Sequence, residues 1–265
     1  MTGTVVGKIE SLWRYPVKSM RGEELQEAYL GFPGFYGDRL YAFRSSAAPN
    51  GFPYLTGREQ ETMLLYRPGF RYPERATKPV NLADAEALGP GATPIYAGLA
   101  DLVVDVETPS GERLAIDDPR LMSLLRDGLR DRHELTLLRC DRPMTDCRPV
   151  SIFSLPTVRQ LSEECGIDLD KRRFRANLYV ELESGNAFGE EEFVGRTLRI
   201  GAKTVVAVLQ RDSRCKMITL DPATAHANPE VMSRLARHHE GKAGIYGAVL
   251  VEGTIRPGDP VALLN

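Results

Sequence analysis

The sequence predicts a mainly β chain with peripheral helices. Two observations carry that expectation. Short β-branched or apolar runs recur between clusters of Gly, Pro and Asn, such as Gly31-Phe32-Pro33-Gly34 and Pro49-Asn50-Gly51-Phe52-Pro53, which is the spacing of a small barrel or sandwich. Helical spacing of apolar residues is confined to three stretches.

Taken in order, Thr4 to Trp13 is β-branched and roughly alternating, and it ends at Tyr15-Pro16, where proline cannot extend a ladder. Further strands are expected at Arg39 to Arg44, Ile95 to Ala97 and Leu102 to Glu107. Residues 68 to 94 are rich in Pro, Gly, Ala and charge, with only Pro79-Val80-Asn81-Leu82 strand-like, and read as a surface excursion. At Asp117-Asp118-Pro119 a helix begins, with Leu121, Leu124, Leu125 and Leu129 on its apolar face, the Asp as cap and Pro119 in the first turn. The domain boundary is expected there, dividing residues 1–116 from 117–265. A second set of strands follows at Leu135 to Leu138, Asn177 to Leu182, Thr197 to Ile200, Val205 to Leu209 and Ala248 to Val251, with helices at Leu155 to Cys165 and Pro229 to His239. Gly258-Asp259-Pro260-Val261 reads as a turn feeding a barrel-closing strand.

Composition excludes several classes. With 265 residues, 42% hydrophobic and 26% charged, the chain can bury a substantial core. A net charge of −2 gives no overall nucleic-acid footprint, and Lys171-Arg172-Arg173, beside Asp168 and Asp170, reads as a solvated helix end. No basic leader precedes an apolar stretch and no run is long enough to span a bilayer, so a soluble cytoplasmic protein with no membrane association is expected. Cysteines 140, 147, 165 and 215 form no CxxC pair, which argues against a disulfide framework, a zinc ribbon or an iron–sulfur centre. The four histidines show no metal spacing, and no phosphate-binding Gly loop or GxSxG elbow is present.

The chemistry centres on Cys215. Arg211-Asp212-Ser213-Arg214-Cys215-Lys216 sets one thiol among three cationic side chains after the apolar run Thr204 to Leu209. Nearby positive charge favours the thiolate, the form that attacks electrophiles or ligates a metal. A lone cysteine also serves as a small buried hydrophobe, and the residues alone leave both roles open. Cationic and hydroxyl groups cluster elsewhere at loops: Lys18-Ser19, Asp38-Arg39 and Arg173-Phe174-Arg175-Ala176-Asn177. Such groups could together hold an anionic heterocycle, the cations taking phosphate and Ser or Asn the ring polar atoms.

These pieces resemble the MOSC family, the molybdenum-cofactor sulfurase C-terminal domain, in its two-part form with an N-terminal MOSC β-barrel domain. The matching stretches are Tyr-Pro-Val-Lys-Ser at 15–19, Gly-Asp-Arg at 37–39, Arg-Phe-Arg-Ala-Asn at 173–177, Ser-Arg-Cys at 213–215 with Thr219-Leu220-Asp221-Pro222, Gly244-Ile245-Tyr246-Gly247 and Gly258-Asp259-Pro260-Val261. The resemblance implies a β-barrel in each half, residues 1–116 being the N-terminal domain and 117–265 the MOSC domain. Within the family the chain is similar to the mitochondrial amidoxime-reducing component and its bacterial relatives. That similarity implies a molybdenum-molybdopterin cofactor ligated by Cys215, as metal ligand and catalytic residue, and reduction of N-hydroxylated compounds. It carries cofactor contacts onto Lys18, Ser19, Arg39, Arg148, Arg175, Asn177, Ser213 and Tyr246. Relatives commonly have proline where Ala176 stands, and some carry a fused ferredoxin domain, whereas this chain ends at Asn265. Electrons are therefore expected from a separate ferredoxin-, flavin- or haem-type partner. The alternative is a non-redox carrier of molybdenum cofactor, or of sulfur on Cys215.

Overall fold

The computed structural model describes residues 3–264 except 90, 97, 99 and 130–133. The chain opens with β1 (Gly3–Arg14), β2 (Glu23–Leu25), β3 (Ala28–Gly31) and β4 (Gly34–Phe35). The middle holds β5 (Tyr41–Ser45), β6 (Arg67–Phe70), α1 (Leu82–Ala87), β7 (Val104–Glu107), β8 (Arg113–Ala115), α2 (Pro119–Arg126) and β9 (Leu135–Arg139). It ends with β10 (Val150–Ser154), α3 (Leu155–Cys165), β11 (Leu178–Leu182), β12 (Thr197–Ile200), β13 (Thr204–Ser213), α4 (Pro229–His239), β14 (Lys242–Val251), β15 (Gly253–Ile255) and β16 (Pro260–Leu264). The expected mainly β chain with peripheral helices is what forms.

The chain divides into two compact units that interleave along the sequence. The first comprises residues 1–13, 24–35 and 146–265, the second residues 14–23 and 36–145. In the first unit the strands run β11-β10-β14-β13-β12-β16-β1, and a further pairing of β1 with β11 closes them into a seven-stranded barrel. Alternate residues face inward, so Ile9, Ile152, Val180, Leu198, Val206 and Ile245 meet in one buried cluster. Closure needs bent strands, and β1 shifts register twice, between Val5 and Gly7 against β16 and between Ile9 and Ser11 against β11. Gly7 is required at this crossing, because a Cβ there would stand 2.4 Å from the Glu181 carbonyl oxygen. A short sheet, β15-β3-β4, completes this unit with α3 and α4.

Both long helices start and stop where local chemistry directs. Ser154 caps α3 by accepting from the Thr157 N–H, and Gly166 ends it at φ +66°. Asn228 caps α4 by accepting from the Glu230 N–H, with Pro229 in the first turn and Arg237, His238 and His239 in the last. His239 also lies 2.9 Å from a Glu164 oxygen and stacks on Phe188 at 4.0 Å, tying α4 to α3.

The second unit contains the pair β5-β9 and the meander β6-β7-β8. Its helix α2 is capped by Asp118, as the sequence predicts, but stops at Arg126, so Leu129 lies beyond it. No strand forms at Pro79 to Leu82, where α1 begins instead, while Arg67–Phe70 is a strand. Ile95 and Tyr96 are outside any strand, and Ala97 lies outside the described residues. Among the described residues no helix is long and apolar enough to cross a membrane.

Candidate functional site

Strand β13 runs four residues past the expected end and delivers Cys215, which is partly exposed, to the start of a 3₁₀ turn over Lys216–Thr219. That turn is clamped from below. Arg173 Nη1 donates to the Thr219 carbonyl at 2.8 Å and its Nη2 to Asp221 Oδ2 at 2.9 Å, while Asp221 Oδ1 accepts from the Ala223 and Thr224 amides. Burial pushes the Asp221 carboxyl up, but those amides and Arg173 outweigh it and hold it below the usual carboxylate range. The solvated helix end expected for residues 171–173 is therefore corrected: Arg173 is buried because the Cys215 turn needs its two donors.

The cationic surroundings of Cys215 are also corrected. Arg211 lies 2.7 Å from Glu191 and 3.1 Å from Glu240. Arg214 turns inward, pairing with Asp212 at 2.9 Å and donating to the Ala243 and Phe174 carbonyls at 2.8 and 2.9 Å, with its guanidinium 5.2 Å from the Phe153 ring centre. Carboxylates thus compensate two of the three charges that the sequence sets around the thiol. The Asp212–Arg214 pair, with side chains 1% and 7% exposed, escaped the sequence reading. An i, i+2 pair of opposite charges at the end of an apolar run is the signal that could have found it.

Other expected residues of this unit take distinct positions. Arg175 ends the 3₁₀ turn over Lys171–Phe174 in the left-handed region, at φ +51°. Asn177 is buried and joins three strands: its side-chain amide donates to the Trp13 carbonyl at 3.2 Å and accepts from the Ser151 N–H at 3.3 Å. Tyr246 is half-buried on β14, opposite Ser151 on β10 and Gln210 on β13. Ser213 is exposed opposite Lys242, and Arg148 is exposed on the segment before β10.

Lys18, Ser19 and Arg39 belong to the second unit. Lys18 is 4% exposed, and its ammonium donates to the Met144 carbonyl at 2.7 Å while lying 4.7 Å from the Tyr54 ring centre. Arg39 lies over Tyr15 at 4.7 Å and pairs with Asp38, a buried carboxylate that also accepts from the Tyr15 N–H.

One backbone feature links the two sets. Among the described residues six non-glycine positions have positive φ, and Ser19 (+66°), Arg39 (+45°) and Arg175 (+51°) are three of them. Left-handed backbone costs a side-chain-bearing residue about 1–3 kcal/mol and persists where the surroundings over-determine it, which is characteristic of ligand sites. Among the described residues no group of three or more His, Cys, Asp and Glu is placed to hold a metal ion.

Comparison with known proteins places these residues in a family. The model of the MOSC domain matches residues 141–262, and that of the MOSC N-terminal beta barrel domain matches residues 6–88. The chain is 30% identical over 163 residues to a molybdenum cofactor sulfurase of Drosophila grimshawi, a match covering 58% of this chain but only 20% of that relative's length. Among solved structures, the YuaD protein of Bacillus subtilis shares the fold with a TM-score of 0.50 at 13% identity, over 97% of this chain and 95% of that one. YiiM of Geobacillus stearothermophilus matches at 24% identity over 44% of this chain and 55% of its own, with a TM-score of 0.35.

Proposed function

Because the chain belongs to the MOSC family, with the N-terminal beta barrel domain ahead of the MOSC domain, we propose that it binds a molybdenum-molybdopterin cofactor and reduces N-hydroxylated compounds such as amidoximes. The observation that carries the reading is Cys215, a partly exposed thiol at the end of β13, within the MOSC segment, on a turn that Arg173 and Asp221 hold in place.

When bound, the cofactor supplies a two-electron metal centre at which an N–O bond can be broken. In the net reaction the substrate takes up two electrons and two protons and its oxygen leaves as water. Cys215 is the proposed sulfur ligand. Arg175, which has a left-handed backbone at φ +51°, is a proposed phosphate contact, with Arg148 beside it in role. Ser213, Asn177 and Tyr246 are proposed partners for the polar edges of the pterin. In the second unit Lys18, Ser19 and Arg39 remain proposed anion contacts. The buried Asp212–Arg214 pair is proposed to act through position, by fixing the strand end that carries Cys215. A separate ferredoxin-, flavin- or haem-type protein is the proposed electron donor.

The similarity to a molybdenum cofactor sulfurase favours a second reading, in which the chain carries the cofactor, or sulfur on Cys215, without redox turnover. Two measurements separate them. Molybdenum and pterin content of protein from a cofactor-producing host should be near one per chain and fall in Cys215→Ala. Reduction of an amidoxime panel with a chemical reductant then supports the reductase, whereas cofactor transfer to an apo-enzyme without such turnover supports the carrier.

A further inference from the structure

Among the described residues, the buried polar atoms without a hydrogen-bond partner include one on strand β10. Ser151 is the second residue of β10 and lies between Val150 and Ile152, both in the buried barrel cluster, so its side chain projects to the opposite face. It is only 5% exposed, yet its hydroxyl oxygen has no hydrogen-bond partner among the described residues. A buried hydroxyl without a partner has lost its water and gained nothing in return, and few such groups survive in native proteins without a reason.

The neighbours of Ser151 supply one. In the antiparallel ladder it stands opposite Tyr246, and residues directly opposite present their side chains on the same face. On its other side Asn177 is bound to it twice, the Ser151 N–H donating to the Asn177 side-chain oxygen at 3.3 Å and the Asn177 N–H donating to the Ser151 carbonyl at 2.9 Å. The orphan hydroxyl thus lies between two residues proposed above to meet the pterin. We propose that Ser151 is a further cofactor contact, its hydroxyl completing its hydrogen bonding on a polar atom of the pterin ring. Serine suits this role because the one group can donate or accept. This contact rests on the cofactor reading of the site.

The test uses a pair of opposite signs. Ser151→Ala and the native chain are prepared both from a host that makes molybdenum cofactor and from one that does not. Melting temperature, bound pterin (by fluorescence after oxidation) and the rate of pterin release are then measured. The contact predicts that the cofactor-free variant melts at or above the native chain, because an unsatisfied buried hydroxyl has been removed. It also predicts that the loaded variant retains pterin about 2- to 13-fold less tightly, the loss of one hydrogen bond. Equal retention and release in variant and native chain overturn the contact while leaving the cofactor reading intact. A cofactor-free variant that melts lower overturns it too, by making Ser151 a packing residue. Absence of pterin and molybdenum from the native chain overturns the cofactor reading, and this contact with it.

Discussion

Replacing Asp212 with Asn tests whether the buried ion pair behind Cys215 sets the stability of the strand end. The substitution keeps shape and removes the counter-charge of Arg214, whose guanidinium stays buried beside Phe153 and Phe174. Removing one partner of a buried pair costs about 3–5 kcal/mol. Arg214 keeps the Ala243 and Phe174 carbonyls as acceptors, which places the expected loss at the lower end, about 3 kcal/mol. For a chain of this size that corresponds to a fall in melting temperature of about 6–12 °C. Urea titration of Asp212→Asn, Arg214→Met and the double variant measures the coupling directly. The double variant should be more stable than Asp212→Asn, because it no longer buries an uncompensated charge. A loss below about 1 kcal/mol in Asp212→Asn, or a double variant that costs the sum of the singles, would refute the argument.

Three further outcomes are expected. Gly244→Ala should cost about 2–4 kcal/mol in denaturant titration, since the residue has φ +77° and a Cβ would meet Phe153 Cδ2 at 2.7 Å and the Ile152 carbonyl at 2.9 Å. Glu190, on the 3₁₀ turn Gly189–Phe193, is buried against the start of α3, where burial pushes its carboxyl up against the lowering hydrogen bonds of Ser154 and Thr157. A raised native value means that the folded state binds more protons than the unfolded one above about pH 4.3, so stability falls as pH rises through that window. Glu190→Gln should raise the melting temperature at pH 7 and flatten this slope. The Asp221 carboxyl is held low instead, so its contribution is present above about pH 3.9 and lost as pH falls through its native value. Asp221→Asn should lower the melting temperature at neutral pH and shrink the acid-induced loss; an unchanged acid limb would mean that Asp221 does not titrate with folding.

The elements legible in the sequence are those fixed locally. Helix α3 reads directly from Ser154, Pro156 and Gly166, and α4 from Asn228 and Pro229, because caps act within one turn. Strand β10 was hidden. All five of its residues are buried, so no polar alternation marks it, and its last residue is already the cap of α3. The polar tail of β13, Gln210-Arg211-Asp212-Ser213, reads as a loop because the carboxylates that neutralise Arg211 stand at positions 191 and 240. Cys215 is visible through its charged neighbours, although two of those charges, Arg211 and Arg214, are paired with carboxylates. The left-handed backbone at Ser19, Arg39 and Arg175 carries no compositional signal, since Gly and Asn normally announce it.

The closure of the barrel by β1 has a consequence for synthesis. Gly3 pairs with Leu264, and the same strand pairs with β11 on its other edge. A ribosome adding about 5–20 residues per second finishes the last strand roughly 12–50 s after the first. Through that interval the nascent chain holds an apolar strand whose final neighbour does not yet exist, an exposed edge of the kind that recruits chaperones or sticks to other chains. Truncation from either end removes a barrel stave, so the yield of soluble protein should depend on protecting the edge of the opening strand that waits for the closing one.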